Sequence, residues 1–112
     1  MIGTDIVSIP RVARLSTRDW YRSLWLNCAE EQRLRLQNFE LHSFAGYVAA
    51  KEAVMKAAGE GFRHGVRPRD IYLEWTSNGA PTATFFGKRY LISISHTDDY
   101  ATAVALKDFS HE

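Results

Sequence analysis

The chain has 112 residues and a formal net charge of +1, with 46% hydrophobic and 24% charged residues. These values are typical of a single globular domain, here residues 1–112, and they argue against a disordered chain or a protein that coats nucleic acid through its overall charge. No apolar run approaches the roughly 20 residues that cross a bilayer, and the first residues lack the features of a signal peptide, so we expect a cytoplasmic protein without a membrane partner.

The first part of the chain is predicted to be a strand followed by helices. Residues Ile2 to Ile9 are rich in β-branched side chains and predict a strand, after which Pro10 suits the first turn of a short helix. Residues Asp19–Leu26 and the charged stretch Ala29–Leu41 are both predicted to be helical. Cys28, the one cysteine of the chain, cannot form an intrachain disulfide and is either a nucleophile or, more commonly, a small buried apolar residue. Large apolar side chains at helical spacing predict a stripe that faces the core: Trp20, Tyr21, Leu24 and Trp25.

A longer helix and a series of strands are predicted to follow. Ser43 can cap the helix at its start, and Gly59 is typical of the residue that ends one. Ser77-Asn78-Gly79 is a strong signal for a hairpin turn. The predicted strands are Ile71–Trp75, Pro81–Phe86, Tyr90–Ser95 and Tyr100–Leu106. One strand, several helices and then a meander of antiparallel strands predict an α+β fold.

Two acidic residues are candidates for chemistry. Asp5 lies in an apolar strand, where a carboxylate is costly to bury unless it is paired or bound to a metal; it can equally cap the next helix or pair with an arginine. Glu52 precedes Lys56 by one helical turn, so the two share a face, which is also the spacing of an ordinary surface ion pair. We expect Lys51 to point away from this face as a surface charge.

Glycines and a histidine raise the question of anion binding. Gly59, Gly61 and Gly65 miss the dinucleotide-binding fingerprint and follow a helix, and the chain has no P-loop motif. His96 stands beside Thr97 at a predicted strand end. A histidine at a turn is usually structural, although an imidazole and a hydroxyl together also bind a phosphate or carbonyl oxygen.

In this order, the motifs resemble the holo-acyl-carrier-protein synthase family, the small 4′-phosphopantetheinyl transferases. The resemblance spans almost the whole chain. The matching stretches are Gly3-Thr4-Asp5-Ile6 with Arg11, Ala49-Ala50-Lys51-Glu52-Ala53 with Lys56, Gly59 and Gly61, Asn78-Gly79-Ala80-Pro81, and Ser93-Ile94-Ser95-His96-Thr97 with Tyr100-Ala101.

The resemblance implies transfer of the 4′-phosphopantetheine arm of coenzyme A to a serine of an apo acyl carrier protein, with Mg²⁺ as cofactor and 3′,5′-adenosine diphosphate as the other product. By motif, Asp5 and Glu52 are the metal ligands, Glu52 or a water that it holds is the general base, and Lys56 contacts the phosphates. The implied catalytic residues are thus Asp5, Glu52 and Lys56. The implied coenzyme A-binding residues are Lys56, Gly59, Gly61, Ser95, His96 and Thr97.

The family resemblance also implies partners. It implies a homotrimer in which Asp5 and Glu52 come from one chain and His96 from the next. Arg11 and Arg14 match the region that meets the acidic carrier protein, with Arg18 and Arg22 as additions, although an arginine-rich helix face is more often merely solvated. Fatty acid biosynthesis is the expected setting, while a polyketide or other specialised pathway stays open, as does tolerance for acylated coenzyme A.

The chain departs from the family in two places. Tyr47-Val48 occupies the neighbourhood where many members carry an arginine, so binding of the nucleotide end of the cofactor must be arranged differently here. Residues 15–44 match the family poorly, which predicts an altered choice of carrier.

Two other functions stay open at this point. One is a non-catalytic module of the same fold that binds carrier proteins or coenzyme A, and the joint presence of Asp5, Glu52 and Lys56 argues against it. The other is an unrelated domain that binds RNA or a protein through its arginines with Trp20 and Tyr21, which the near-zero net charge disfavours.

Overall fold

Five strands form one antiparallel sheet in the order β1-β5-β4-β3-β2, in a computed structural model that describes residues 1–59 and 65–111. The N-terminal strand lies at one edge of the sheet and pairs with the last strand, so the first and last strands are neighbours. The predicted α+β fold is confirmed. The strands are β1 Ile2–Ser8, β2 Tyr72–Trp75, β3 Pro81–Phe85, β4 Lys88–His96 and β5 Tyr100–Lys107.

Four α-helices lie between β1 and β2 in the part of the chain that the structure describes. They are α1 Ile9–Leu15, α2 Asp19–Trp25, α3 Cys28–Leu36 and α4 Leu41–Ala58; short 3-10 helices lie at Pro68–Asp70 and Phe109–His111. None of the helices in the described part of the chain has the length and apolar character needed to cross a membrane.

The boundary between α3 and α4 differs from the prediction of one helix over Ala29–Leu41. Asn38 and Phe39 take left-handed backbone angles, with φ of 58° and 52°, which interrupts a right-handed helix. The cap of α4 is Glu40 instead of Ser43, because the Glu40 carboxylate accepts hydrogen bonds from the N–H groups of His42 and Ser43 at 2.9 and 3.2 Å. The predicted end of the helix at Gly59 is confirmed by its φ of 75°.

Helix α4 packs against the inner face of the sheet at very short range. A Cβ atom placed on Gly3 would lie 2.1 Å from the Ala53 carbonyl oxygen and 2.6 Å from the Ala57 nitrogen. Ala101 and Ala103 of β5 are also small and buried against the helix side of the sheet. This absence of side-chain bulk brings β1 close to α4, and Asp5 follows Gly3 on the same face of the strand.

Two predicted core positions are exposed. Tyr21 and Trp25 of α2 are buried as predicted, but Trp20 is 59% exposed, because the next residue along a helix points about 100° away. Cys28 is exposed at the first turn of α3, so the expectation of a buried apolar cysteine is wrong.

The outer face of the sheet carries apolar side chains that no described element covers. The register aligns Ile2, Leu106 and Leu91 in one row and Ile6, Thr102 and Ser95 in another. The exposed large apolar side chains on this face are Ile2, Ile6, Leu91, Tyr100, Val104 and Leu106.

Candidate active site

Asp5, Glu52 and Lys56 lie together where β1 crosses α4. Lys56 Nζ donates a hydrogen bond to Asp5 Oδ1 at 2.9 Å, and the Asp5 side chain is only 8% exposed. The cap of α1 is supplied by Ser8, whose hydroxyl accepts from the N–H of Arg11. Asp5 therefore does not cap α1, and no arginine of the described residues pairs with it. Lys56 pairs with Asp5 from across the fold instead of forming a simple surface pair along its own helix.

The Asp5 carboxylate perturbs the Glu52 carboxylate. Burial, and then the hydrogen bond and charge of Asp5, raise the pKa of Glu52 to about 8, against the opposing charges of Lys56 and Arg11. The hydrogen bond to Asp5 raises the pKa of Lys56. Asp5 Oδ2 is buried, and no donor among the described residues forms a hydrogen bond to it. Two adjacent carboxylates, one with an oxygen that accepts no hydrogen bond, are stabilised by a shared proton or by a bound cation.

The pair has the donor chemistry that suits Mg²⁺. This ion takes one or two carboxylates and fills its remaining positions with waters and substrate phosphates. Within residues 1–59 and 65–111, no group of three or more His, Cys, Asp or Glu side chains could hold a metal alone. Asp5 Oδ2, which is buried without a hydrogen bond from the described residues, and the half-buried Glu52 thus fit a cation whose remaining coordination positions are filled by waters and substrate.

A cleft of about 340 Å³ borders Glu52, and we call it the carboxylate cleft. Its walls are mainly apolar, and Arg11 also lines it. Tyr21 stands close to Glu52, since burial and then the Glu52 charge raise the pKa of the Tyr21 hydroxyl. The wall residues from the helical segment are Val12, Leu15, Tyr21, Leu24 and Trp25.

A second cleft, of about 510 Å³, contains His96, and we call it the histidine cleft. The rings of His96 and His42 lie 4.6 Å apart. The guanidinium carbon of Arg33 lies 3.9 Å from the centre of the Trp75 ring. None of the described residues that line this cleft is acidic. A guanidinium and two imidazole rings beside aromatic side chains suit a phosphorylated ligand with a planar group.

Arg33 brings a positive charge to the place where the family resemblance expects one from α4. Tyr47 is buried there, with its ring 5.3 Å from that of Trp75. Burial raises the pKa of Tyr47, while the charge and hydrogen bond of Arg33 lower it, so the two side chains are in contact. Sequence reasoning missed Arg33 and His42, because both lie in the segment of residues 15–44 that matches the family poorly. The one available signal was the departure from the family pattern at Tyr47.

Ser95, His96 and Thr97 do not form one group. Ser95 Oγ lies 2.9 Å from the Thr102 hydroxyl on the outer face of the sheet. The Thr97 hydroxyl accepts from the N–H groups of Asp99 and Tyr100 at 3.2 and 3.1 Å, which holds the turn after β4. Of the three residues, His96 alone lines the histidine cleft.

The histidine cleft and the carboxylate cleft share no lining residue within one chain. In the sheet register, Val7 pairs with Ala101 and Ala101 with His96, so β5 lies between β1 and β4. Two strand spacings of about 4.8 Å therefore separate His96 from the strand that carries Asp5.

Lys51 is not the surface charge that the sequence suggested. It is fully buried, and its Nζ donates to Glu30 Oε1 and to the Trp25 carbonyl oxygen, the latter at 2.7 Å. Residues 51 and 52 point in different directions around α4, so one charge enters the core and the other faces Asp5.

The remaining predicted positions divide into exposed and engaged groups. Arg11 and Arg14 are exposed on α1, whereas Arg22 is held by Asp19 and the Ser16 carbonyl. Gly59 is accounted for by its left-handed role at the end of α4. Gly61 lies outside the described residues.

Comparisons with known proteins agree with this architecture. The family model for the 4′-phosphopantetheinyl transferase superfamily matches residues 1–105. The chain is 39% identical to holo-[acyl-carrier-protein] synthase of Verminephrobacter eiseniae, over 94% of this chain and 90% of the relative. The structure of Helicobacter pylori holo-[acyl-carrier-protein] synthase in complex with coenzyme A matches with a TM-score of 0.85 and 29% identity, covering 96% of this chain and all 100% of the other. A holo-(acyl-carrier-protein) synthase from Bacillus anthracis in complex with CoA (3′,5′-ADP) matches with a TM-score of 0.78 and 28% identity, covering 95% and 93% of the two chains.

Proposed function

The chain belongs to the 4′-phosphopantetheinyl transferase superfamily, and we propose that residues 1–112 form one transferase domain that moves the 4′-phosphopantetheine arm of coenzyme A to a serine hydroxyl of an apo acyl carrier protein. The observation that carries the proposal is the cluster of Asp5, Glu52 and Lys56 beside an open cleft. A module that only bound the carrier or coenzyme A would have no use for two carboxylates that raise each other's free energy.

The proposed reaction breaks the pyrophosphate linkage of coenzyme A. The serine oxygen attacks the phosphorus that bears the pantetheine arm, the bond to the other phosphate breaks, and 3′,5′-adenosine diphosphate leaves. Glu52, or a water that it holds, accepts the serine proton as the general base. The Lys56 ammonium, which is 59% exposed, offsets the charge that accumulates on the phosphates.

We propose that Mg²⁺ is the cofactor and that Asp5 and Glu52 would hold it. When bound, the ion would neutralise developing negative charge on the pyrophosphate. Its charge would also relieve the repulsion between the two carboxylates.

The nucleotide end of coenzyme A is proposed to bind in the histidine cleft of a neighbouring chain. Arg33, His42 and His96 would hold its phosphates, and Thr97 would fix the turn that orients His96. Ser95 could reach a ligand only from the outer face of the sheet. The coenzyme A complexes of the Helicobacter pylori and Bacillus anthracis relatives support this ligand.

A homotrimer with shared sites is proposed for the same reason. The two clefts share no lining residue in one chain, so a ligand that used both could take them from different chains. The uncovered apolar face around Ile2, Ile6 and Leu106 offers a surface for such assembly. Exposed Arg11 and Arg14, the first of which lines the carboxylate cleft, are proposed to meet an acidic carrier protein.

The proposal is tested by the intact mass of an apo acyl carrier protein after incubation with this protein, coenzyme A and Mg²⁺, with a chelator control. We expect a gain of one phosphopantetheine arm that the chelator abolishes. Coenzyme A binding without any gain across several carriers would favour the non-catalytic module. If the protein neither binds coenzyme A nor adds mass to any carrier, the proposed function is wrong. Light scattering of the same sample measures the oligomeric state.

A further inference from the structure

A buried ion pair next to the candidate site plays no part in the proposed chemistry. Lys51 is 0% and Glu30 is 1% exposed, and they are the two buried charged side chains among the described residues. An apolar pair of similar size often stabilises a core as well as a buried ion pair does, so stability alone is a weak reason for these charges.

The pair joins four elements through directional hydrogen bonds. Lys51 of α4 binds the carbonyl oxygen of Trp25, the last residue of α2, at 2.7 Å. Glu30 closes the capping box at the start of α3, where its Oε1 accepts from the Asn27 N–H at 3.1 Å. Glu30 Oε2 accepts from the N–H of Leu73 in β2 at 2.8 Å. Every atom of the pair that can bond therefore locates a particular backbone group.

One of those backbone groups, the Trp25 carbonyl, belongs to the lining of the cleft that also contains Glu52. Trp25, whose carbonyl Lys51 holds, lines the carboxylate cleft together with Tyr21 and Leu24. Glu52, which also lines that cleft, directly follows Lys51 in α4. One hydrogen bond thus connects the helix that carries Glu52 to α2, which lines the same cleft.

We propose that the Lys51–Glu30 pair is a positioning device that sets the distance between α2 and Glu52, and thereby the fit of the serine-bearing segment of the carrier protein in the carboxylate cleft. This inference rests on the proposed function. It assigns Lys51 and Glu30 no contact with substrate. It predicts that losing the pair impairs use of the carrier while binding of coenzyme A, which the histidine cleft supports, stays intact.

The test compares wild type with the double variant Lys51→Met/Glu30→Gln. The double change keeps the side-chain lengths and leaves no unpaired buried charge, whereas Lys51→Met alone would strand the Glu30 carboxylate and risk failing to fold. The control is Glu31→Gln/Arg35→Met, which removes the exposed ion pair of the same helix. Each folded protein is assayed for kcat, for KM of the apo carrier and for calorimetric Kd of coenzyme A.

We expect the double variant to raise the carrier KM or lower kcat/KM for the carrier by about tenfold or more, since small displacements of positioning groups have effects of this size. Its Kd for coenzyme A should stay within about twofold, and the control should match wild type in every parameter. Amide hydrogen exchange should rise in α2, residues 19–25, and not in 41–58.

Unchanged carrier kinetics in a folded double variant would overturn the proposal, and so would an equal loss in carrier use and coenzyme A binding, which would indicate general loosening. If wild type modifies no carrier, the proposed function fails, and the exchange pattern alone then decides whether the pair holds α2 against α4. Uniform exchange across both segments would reject that positioning role as well.

Discussion

The carboxylate cleft is built by two regions that use opposite means. Strand β1 and helix α4 meet through small residues, with Gly3 against the backbone of Ala53, and this close approach places Asp5 beside Glu52 and Lys56. The helical segment α1–α3 meets α4 through large side chains and the buried Lys51–Glu30 pair. The first region supplies reactive charge, and the second supplies the shape around it. We therefore expect changes in the first region to affect the proposed chemistry and changes in the second to affect the fit of the proposed carrier.

The largest expected loss of turnover comes from a change in the β1–α4 region, at Glu52. Glu52→Gln keeps the side-chain volume but removes both the proposed base and one proposed Mg²⁺ ligand, so turnover should fall by about 10³-fold or more. Mass spectrometry of the carrier measures the rate, and circular dichroism checks the fold. Glu74→Gln, at an exposed acid on β2, is the matched control and should keep normal activity. Near-normal turnover of Glu52→Gln would remove Glu52 from the catalytic assignment.

The second prediction concerns the close contact that creates the cluster. In Gly3→Ala the added methyl would collide with backbone atoms of α4, which cannot move as a side chain can. We expect a loss of about 3 kcal/mol in the free energy of unfolding, measured by urea denaturation at fixed protein concentration. Thr4→Ala, at the exposed next residue, should change it by less than about 0.5 kcal/mol. Equal unfolding midpoints for the two variants would contradict the close packing of β1 on α4.

The third prediction tests the cation of the cluster. Lys56→Ala removes the ammonium that binds Asp5 and is proposed to face the phosphates, so kcat should fall by about 10²-fold. Lys56→Arg should recover part of the rate, because the charge is kept. Lys88→Ala, at an exposed lysine of β4, serves as the control in the same steady-state assay. A Lys56→Ala rate equal to that of the control would exclude the proposed role.

The fourth prediction moves to the region of weak resemblance. Arg33→Met should raise KM for coenzyme A by about tenfold, the effect of one lost charged hydrogen bond, and should affect 3′-dephospho-coenzyme A much less. The control is Arg35→Met on the same helix. If the variant lost the same factor with both substrates, Arg33 would not recognise the 3′-phosphate.

The smallest predicted effect is a pH dependence that belongs to the β1–α4 region. Because the pKa of Glu52 is raised from 4.5 to about 8 in the folded state, the folded protein binds more protons than the unfolded chain between these values. Without divalent cations, stability should therefore fall as pH rises from about 5 to 8. Glu52→Gln should show a smaller fall, by a few degrees in Tm, while the histidine contributions common to both proteins cancel. An identical pH dependence of Tm in the two proteins would show that the pKa of Glu52 is not raised in the folded state. Added Mg²⁺ should raise Tm in wild type only.

Sequence reasoning predicted the grouping of the charged residues better than the architecture around them. Asp5, Glu52 and Lys56 belong to local motifs with helical or strand periodicity, and their mutual contact follows from that periodicity once β1 packs on α4. Lys51 was misjudged, because helical spacing gives the direction of a side chain but not what another segment presents there. Arg33 was missed for a related reason, since its partners Tyr47 and Trp75 lie in α4 and β2, far away in sequence.

The sequence by itself determined the α+β order of elements and the ends of the strands near their turns, and its resemblance to a family suggested Asp5, Glu52 and Lys56 as candidate residues. The order and the ends depend on local backbone preferences and on the alternation of side chains, which act over a few residues. The tertiary structure alone decided which face of α4 entered the core, that Trp20 and Cys28 stayed exposed, and that Glu30 became buried. Those outcomes depend on burial and on hydrogen bonds between distant segments, whose free energies exist only when the segments are in contact.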